Sequence, residues 1–305
     1  MIGLTKLRDL SVVDEDGTER NLPIAAASAL LKVGDYLLVL SDDERQMAIV
    51  EEGNDEPGTL IKVMEGGTPS GPDERAGHKP DFECMAYIEP FDSFEHGAVL
   101  ALGSGSGPDR NQATLLRLTA DGRPDTDFEL VDLGPLYERL REDIVDLNIE
   151  GSALTGDVFR LMQRGNGPGG RNARVDLDAG AVRAALVEGE PIPPAAVQAI
   201  EFYDLGNLKG VPLCFSDASP LADGRMAFIA SAEIGDGYVG SSLGLMDSDG
   251  TVEFNEPVDH ELKLEGLAAE IQDDGRIRLL MVSDADDPDH PSPLMEAYLP
   301  SRADQ

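Results

Sequence analysis

The sequence predicts an all-β fold, a five-bladed β-propeller, from three observations. A short motif recurs five times, in which a polar residue opens one hydrophobic strand and a second strand ends in polar residues. The segments within each copy are short, rich in Val, Ile and Leu, and separated by Gly, Asp and Pro turns. The chain before the first copy and after the last one together supplies about one further repeat, so the repeats close into a ring. A six-bladed ring is the alternative.

The motif copies fix the equivalent positions in the five blades. These positions are Ser28, Glu83, Glu150, Asp217 and Glu265. Each copy is expected to supply four antiparallel strands, and Asp-Gly pairs such as Asp121-Gly122 and Asp223-Gly224 are strong hairpin signals. The sequence therefore predicts a repeat of four-stranded blades around one axis.

The chain divides into these predicted elements in order. The first three blades take strands at 24–31, 36–41, 46–50, 59–63, 82–88, 98–102, 113–118, 128–131, 149–154, 158–163, 173–177 and 199–203. The last blade lacks an evident fourth strand after 293–299, and residues 5–13 are expected to provide it, which would remove an exposed sheet edge. Helical insertions are predicted near 133–145 and 179–197. Residues 1–305 then form a single propeller domain.

The composition excludes several functions. The chain has 59 acidic and 24 basic residues, a net charge of −35, which disfavours nucleic acid and anionic membrane as partners. No apolar run reaches the roughly 18 residues of a membrane span, and no apolar signal segment is evident at the N-terminus, so a cytoplasmic location is expected. Cys84 and Cys214 are expected to be buried thiols and not a disulfide.

The repeated positions predict a ring of carboxylates at one mouth of the central channel. The first strand of each blade lines the channel, so the start of every first strand should open on the same face. Four of the five positions are carboxylates, Glu83, Glu150, Asp217 and Glu265. Neighbours about 6 Å apart would repel by roughly 3 kcal/mol at an effective dielectric of about 20. Such a ring must hold protons, pair with bases or bind a cation.

Two interpretations of this ring stay open. Oxygen ligands favour Ca²⁺ or Mg²⁺ over a transition metal, which makes the four carboxylates a candidate metal site; no organic cofactor is expected. Alternatively, each acidic side chain binds a backbone amide of the next blade and holds the ring together. In that case the glycines that follow two of them, Gly151 and Gly266, allow the blades to approach closely.

Two glycine-rich loops after second strands are near copies of each other. Residues 105–111 and 165–172 present an Arg and an Asn each, namely Arg110, Asn111, Arg171 and Asn172. Their guanidinium groups are candidates for binding a phosphate or carboxylate in a bidentate manner. Equally, the arginines, with Arg164 just before the second loop, would neutralise the carboxylate ring.

Histidines near the same mouth are candidates for proton transfer. His78 and His260 each precede a repeat carboxylate by five residues, and His290 follows the second strand of the last blade. A histidine there would act as a general base. We take His78, His260 and Arg164 as the candidate catalytic residues.

Three short segments carry a family resemblance. Residues 148–153 (NIEGSA), 264–268 (LEGLA) and 280–284 (LMVSD) resemble the phytase-like and SdiA-regulated bacterial β-propellers. The resemblance implies a propeller with a calcium site near its axis. Metal-dependent hydrolysis of phosphoesters or lactones is known among propellers more widely. Ser28 and the pair Asp217-Ala218 depart from the pattern.

Three functions follow as hypotheses. The first is a divalent-cation-dependent hydrolase of phosphorylated or lactone-like small molecules. The second is a non-catalytic propeller that binds a small anionic molecule or a protein at the channel mouth. The third is a structural propeller whose axial carboxylates only join the blades.

Overall fold

The computed structural model shows the five-bladed β-propeller that the sequence predicts. It describes residues 1–13, 20–41, 44–65, 81–235, 237–259, 262–284 and 290–300. Five antiparallel sheets of four strands each surround a common axis. The innermost strands of adjacent blades pack side by side all the way round, including the last against the first.

The strands share short lengths and strongly buried inner members. In chain order they are β1 (Thr5–Asp9), β2 (Ser11–Val13), β3 (Arg20–Pro23), β4 (Ala27–Val33), β5 (Tyr36–Ser41), β6 (Gln46–Glu51), β7 (Thr59–Lys62), β8 (Phe82–Ile88), β9 (Ala98–Gly103), β10 (Gln112–Leu118), β11 (Pro124–Asp132), β12 (Ile149–Thr155), β13 (Val158–Gln163), β14 (Asn172–Asp178), β15 (Val197–Tyr203), β16 (Asn207–Leu208), β17 (Val211–Pro212), β18 (Cys214–Pro220), β19 (Met226–Ile234), β20 (Gly237–Met246), β21 (Val252–Pro257), β22 (Lys263–Ile271), β23 (Ile277–Asp284) and β24 (Pro293–Leu299).

Four blades are continuous in sequence, and the fifth joins the two ends of the chain. Blades one to four consist of β4–β7, β8–β11, β12–β15 and β18–β21, and blade five orders its strands β22-β23-β24-β1. Thr5 of β1 lies opposite Glu296 of β24 in antiparallel register. The N-terminal segment thus closes blade five, as predicted, and covers the edge that β24 would otherwise expose.

Two helices lie within the segments for which the sequence predicted them. They are α1 (Gly134–Arg141), which follows blade two, and α2 (Ala179–Glu188), which connects β14 to β15. Asp178 caps α2 by accepting a hydrogen bond from the Ala181 N–H at 2.7 Å, and Gly189 ends it in a left-handed conformation. Buried Leu136, Tyr137 and Leu140 attach α1 to the core.

Apolar side chains between adjacent blades form the core. Leu38 and Ile49 of blade one, for example, belong to the same buried cluster as Phe82, Val99 and Leu116 of blade two. Burying each such side chain contributes about 1.5–3 kcal/mol. Because every blade packs on two neighbours, the ring holds its innermost strands in fixed positions around the channel.

A network of charged side chains strengthens the junction between the first and last blades. Lys32 contacts Glu52 at 2.9 Å and Glu270 at 2.7 Å. Arg278 contacts Glu52 at 2.5 Å and Glu296 at 2.7 Å. Partial burial opposes ionisation of Glu52, but hydrogen bonds from Lys32 and Arg278 outweigh it and lower the pKa of this carboxyl. The network therefore joins the two ends of the ring most strongly when it is fully ionised.

Candidate functional site

Each innermost strand contains a β-bulge close to its first residue. At each bulge, one residue has no partner on the neighbouring strand. In blades one to five, these residues are Ser28, Glu83, Glu150, Ser216 and Glu265. Four of the equivalent positions predicted from the sequence are therefore correct. The fourth blade is different, because Ser216 and not Asp217 occupies the bulge. A shift of one residue turns a strand side chain to the opposite face, so Asp217 leaves the ring of equivalent positions.

Asp217 joins two blades. Its Oδ2 atom accepts a hydrogen bond from the Leu267 N–H of blade five at 2.7 Å, and Oδ1 accepts one from the Ala218 N–H at 2.7 Å. Burial raises its pKa despite these two bonds. Ser28 has a comparable role, because its hydroxyl donates to the Phe82 carbonyl of blade two at 2.9 Å. At these two positions, the expected bonding to the backbone of the next blade is present.

Gly151 and Gly266 allow the close approach of neighbouring blades. A Cβ atom on Gly266 would lie 2.5 Å from the Leu30 nitrogen in blade one. A Cβ atom on Gly151 would lie 3.0 Å from the Ala218 nitrogen in blade four. The glycines that follow two of the ring carboxylates thus have the steric role that the sequence indicated.

A group of five charged residues, which we call the axial cluster, lies at this end of the channel. It comprises Glu150, Arg164, Glu233, Lys263 and Glu265. The Arg164 guanidinium contacts Glu150 at 3.2 Å, Glu233 at 2.6 Å and Glu265 at 3.8 Å. The Lys263 ammonium lies 2.8 Å from Glu265. Carboxylates from blades three, four and five therefore meet around two cations.

The buried and exposed members of the axial cluster differ. The side chains of Arg164, Glu150 and Glu265 are no more than 7% exposed, whereas those of Lys263 and Glu233 are 20% and 22% exposed. The Nε atom of Arg164 is buried without a hydrogen-bond partner in the described residues. A molecule that enters the mouth would meet Lys263 and Glu233 first, with Arg164 behind them.

The environment of the axial cluster changes its protonation. Burial raises the pKa of Glu265 to about 8, although Lys263 and Arg164 act in the opposite direction. Burial also raises the pKa of Glu150. For Arg164, burial opposes the charged form, but the surrounding carboxylates outweigh it and raise the pKa of the guanidinium. Repulsion among the carboxylates is therefore reduced in two of the three expected ways, by protonation of Glu265 and by pairing with Arg164 and Lys263.

The predicted Ca²⁺ or Mg²⁺ site stays a prediction. Within the part of the chain that the structure describes, no group of three or more His, Cys, Asp or Glu residues has an arrangement that could hold a metal ion. Of the four predicted ligands, Asp217 binds backbone amides, and Glu150 and Glu265 contact Arg164 or Lys263. Glu83 is half-buried, and its carboxylate is close enough to Arg164 to raise the pKa of the guanidinium.

The first glycine-rich loop is held by its own polar residues. Arg110 contacts Asp81 at 3.0 Å and donates to the Ser106 hydroxyl at 2.6 Å. The amide oxygen of Asn111 accepts a hydrogen bond from Arg141 of α1 at 2.8 Å. Both predicted ligand-binding side chains of this loop therefore have partners within the protein.

The second glycine-rich loop differs from the first. Arg171 lies over the Phe202 ring of the outermost strand β15, 4.0 Å from its centre. Asn172 is buried, donates to the Leu213 carbonyl at 2.8 Å and accepts from the Phe215 N–H at 3.2 Å. Asn172 thus connects blade three to blade four, and Arg164, not Arg171, is the arginine that this region contributes to the axial cluster.

The candidate histidines add little to the described site. His78 and His260 lie outside the described residues, so their catalytic role stays a prediction. His290 is described and exposed. The sequence analysis missed Glu233 and Lys263. Lys263 precedes Glu265 by only two residues on β22, so the two side chains start close together in the chain.

Comparisons with solved structures agree with the fold. An α-L-arabinofuranosidase from Podospora anserina, described in complex with cellotriose, matches at 10% identity over 98% of this chain and 97% of its own, with a TM-score of 0.52. An exo-β-1,3-galactanase from Phanerochaete chrysosporium, with β-1,3-galactotriose, matches at 11% identity over 97% of this chain and 64% of its own, with a TM-score of 0.50. A gluconolactonase from Xanthomonas campestris matches at 13% identity over 97% and 89%, with a TM-score of 0.46.

The sequence comparisons place the chain in a family. Among curated proteins, none matches it. The predicted resemblance to phytase-like or SdiA-regulated propellers stays a prediction. None of the helices within the described residues is long and apolar enough to cross a membrane. A family model covers residues 23–299, and the chain therefore belongs to DUF6929, a family of unknown function.

Proposed function

We propose that this protein binds a small, uncharged, oxygen-rich molecule, such as a sugar or a sugar lactone, at the axial cluster. The observation that carries the proposal is the close alternation of donors and acceptors there, with Arg164 between Glu150, Glu233 and Glu265, and Lys263 beside Glu265. Carboxylates accept hydrogen bonds from hydroxyl groups, and guanidinium and ammonium groups donate to hydroxyl or carbonyl oxygens. A few convergent polar groups are typical of small-molecule sites.

The charge balance of the axial cluster favours a neutral ligand. Lys263 also contacts Asp284 at 3.6 Å, and Glu83 lies close to Arg164, so the carboxylates around these two cations outnumber them. An anion would add uncompensated charge to a partly buried site, which is costly. The arginines expected to bind an anion, Arg110 and Arg171, have other contacts. A neutral molecule is therefore favoured over the anionic ligand expected from the sequence.

Hydrolysis of the bound molecule is a second candidate function, and Glu265 favours it. A carboxyl that keeps its proton near neutral pH can protonate a leaving oxygen as a general acid. The arabinofuranosidase and the galactanase share the propeller fold with this chain, and each is described with a sugar chain bound. Identities near 10% relate only the fold, so the proposed ligand class depends on the chemistry of the axial cluster.

Calorimetric titration with aldonolactones, neutral monosaccharides and the matching aldonate anions tests the proposal. We expect the neutral compounds to bind at least tenfold more tightly than the aldonates. Lys263→Met should weaken this binding about tenfold, because it removes a partly exposed donor worth roughly 1.5 kcal/mol. Arg171→Ala, a change outside the axial cluster, should leave the affinity unchanged. Tighter binding of the aldonates would contradict the proposal.

Melting experiments test whether a metal takes part. If the predicted Ca²⁺ or Mg²⁺ binds the folded protein, EDTA should lower the melting temperature and added Ca²⁺ should restore it. Glu150→Gln should then weaken that response. A melting temperature that neither EDTA nor Ca²⁺ changes would exclude a metal-dependent hydrolase and leave the neutral-ligand proposal intact.

A further inference from the structure

A cavity of about 240 Å³ lies along the channel on the side away from the axial cluster. We call it the far vestibule. All five innermost strands line it, through residues 30–32, 85–87, 152–154, 218–222 and 267–269. Each of these stretches begins two residues after the bulge residue of its strand. Because a strand rises about 3.3 Å per residue, the wall of the far vestibule starts about 7 Å farther along the axis than the bulges.

The wall of the far vestibule differs chemically from the mouth at the other end. Leu30, Met85, Leu154 and Leu221 supply apolar surface, and alanines fill much of the remainder. Innermost strands are also sheet edges, so part of their backbone N–H and C=O groups point toward the channel and not toward a ladder partner. The wall therefore combines apolar side chains with backbone hydrogen-bonding groups.

The charged groups beside the far vestibule are bonded within the protein or lie at its edge. Asp217 accepts hydrogen bonds from the N–H groups of the wall residues Ala218 and Leu267. Lys32 lies in the wall but contacts Glu52 and Glu270 of the closure network. Ser219 accepts a hydrogen bond from the Ala269 N–H at 3.0 Å. The Ser152 hydroxyl is buried and, beyond the weak thiol of Cys84, has no partner in the described residues. Glu89 and Ala222 are exposed, which places this edge of the cavity at the protein surface.

We propose that the far vestibule is a second binding site, which takes an uncharged amphiphilic small molecule with one polar group. The apolar side chains would contact its hydrocarbon part, and a backbone group of the wall would bond its polar group. A charged group would lose hydration without gaining an available counter-ion, because Lys32 is already paired. The volume exceeds the roughly 10–15 Å³ that a single water needs.

Titration with the uncharged fluorophore 1-N-phenylnaphthylamine tests this site in the full-length protein. We expect saturable binding with one site per chain. Ala269→Phe, at a half-buried position in the wall, should weaken the affinity at least tenfold by filling the cavity. Ala222→Trp, at the exposed edge, should weaken it without loss of the folded state. Ala199→Phe, at a half-buried alanine of the outer strand β15, is the matched control and should leave the affinity within twofold.

A mouth variant separates this inference from the proposed function. Lys263→Met, which should weaken lactone binding, should leave the fluorophore affinity within twofold, because Lys263 lies at the other end of the channel. Absence of saturable fluorophore binding by the unchanged protein would overturn the inference. So would equal affinities for the unchanged protein, Ala269→Phe and Ala222→Trp, or an affinity that Lys263→Met also lowers tenfold.

Discussion

Replacing Arg164 with methionine is expected to lower the free energy of unfolding by about 3–5 kcal/mol. The side chain is 6% exposed and contacts Glu150, Glu233 and Glu265, which belong to three different blades. Methionine fills similar space but leaves buried carboxylates without their cation. Removing one partner of a buried ion pair costs more than the pair contributes, because the remaining charge stays away from water.

Equilibrium urea unfolding measures this effect, with two further variants for comparison. Arg164→Lys keeps the charge but loses the planar group that spans several carboxylates, so an intermediate loss is expected. Arg171→Ala removes an exposed arginine from the neighbouring loop and should cost no more than about 1 kcal/mol. Equal losses for Arg164→Met and Arg171→Ala would show that the contacts of Arg164 with the three carboxylates do not stabilise the ring.

The ring architecture follows from features that a sequence displays directly. Turn residues and short hydrophobic runs mark the strands, and the missing partner of β24 points to the N-terminal segment that becomes β1. The bulge in blade four shows where this reasoning fails. Ser216 and Asp217 are adjacent polar residues. Because three other blades have a glutamate at the equivalent position, residue type alone assigns Asp217 to it. The position of a bulge depends on the backbone register, which selects Ser216.

Only some partners of the axial carboxylates could be predicted from the sequence. Lys263 lies two residues from Glu265 on one strand, so their contact is local in the sequence. Arg164 follows the last residue of β13, at the predicted mouth. Glu233 reaches Arg164 because β19 continues to Ile234 and has nine residues, whereas the second strands of the other blades have six to eight. The sequence contains no local signal for that extension, so the third carboxylate of the cluster required the structure.

Stability should fall as the pH rises from about 5 to about 8, and Glu265 should account for much of the change. Burial raises the pKa of this carboxyl from an ordinary value near 4.5 to about 8, so the folded protein binds more protons than the unfolded chain between these values. The stabilisation is complete below about pH 4.5 and is lost as the pH passes 8, with a slope on the order of 1 kcal/mol per pH unit.

Glu265→Gln isolates this contribution, because glutamine keeps the shape of the protonated side chain and does not titrate. Urea unfolding of this variant should show a flatter pH profile and, at pH 8, a free energy of unfolding above that of the unchanged protein. Glu188→Gln, which removes an exposed carboxyl at the end of α2, should keep the original slope. If both variants retain the slope, general repulsion among the acidic side chains causes the pH dependence, and Glu265 ionises in the folded protein without a raised pKa. A flat profile for Glu265→Gln alone means that the Glu265 carboxyl keeps its proton in the folded protein near neutral pH. General-acid chemistry at the axial cluster requires such a proton.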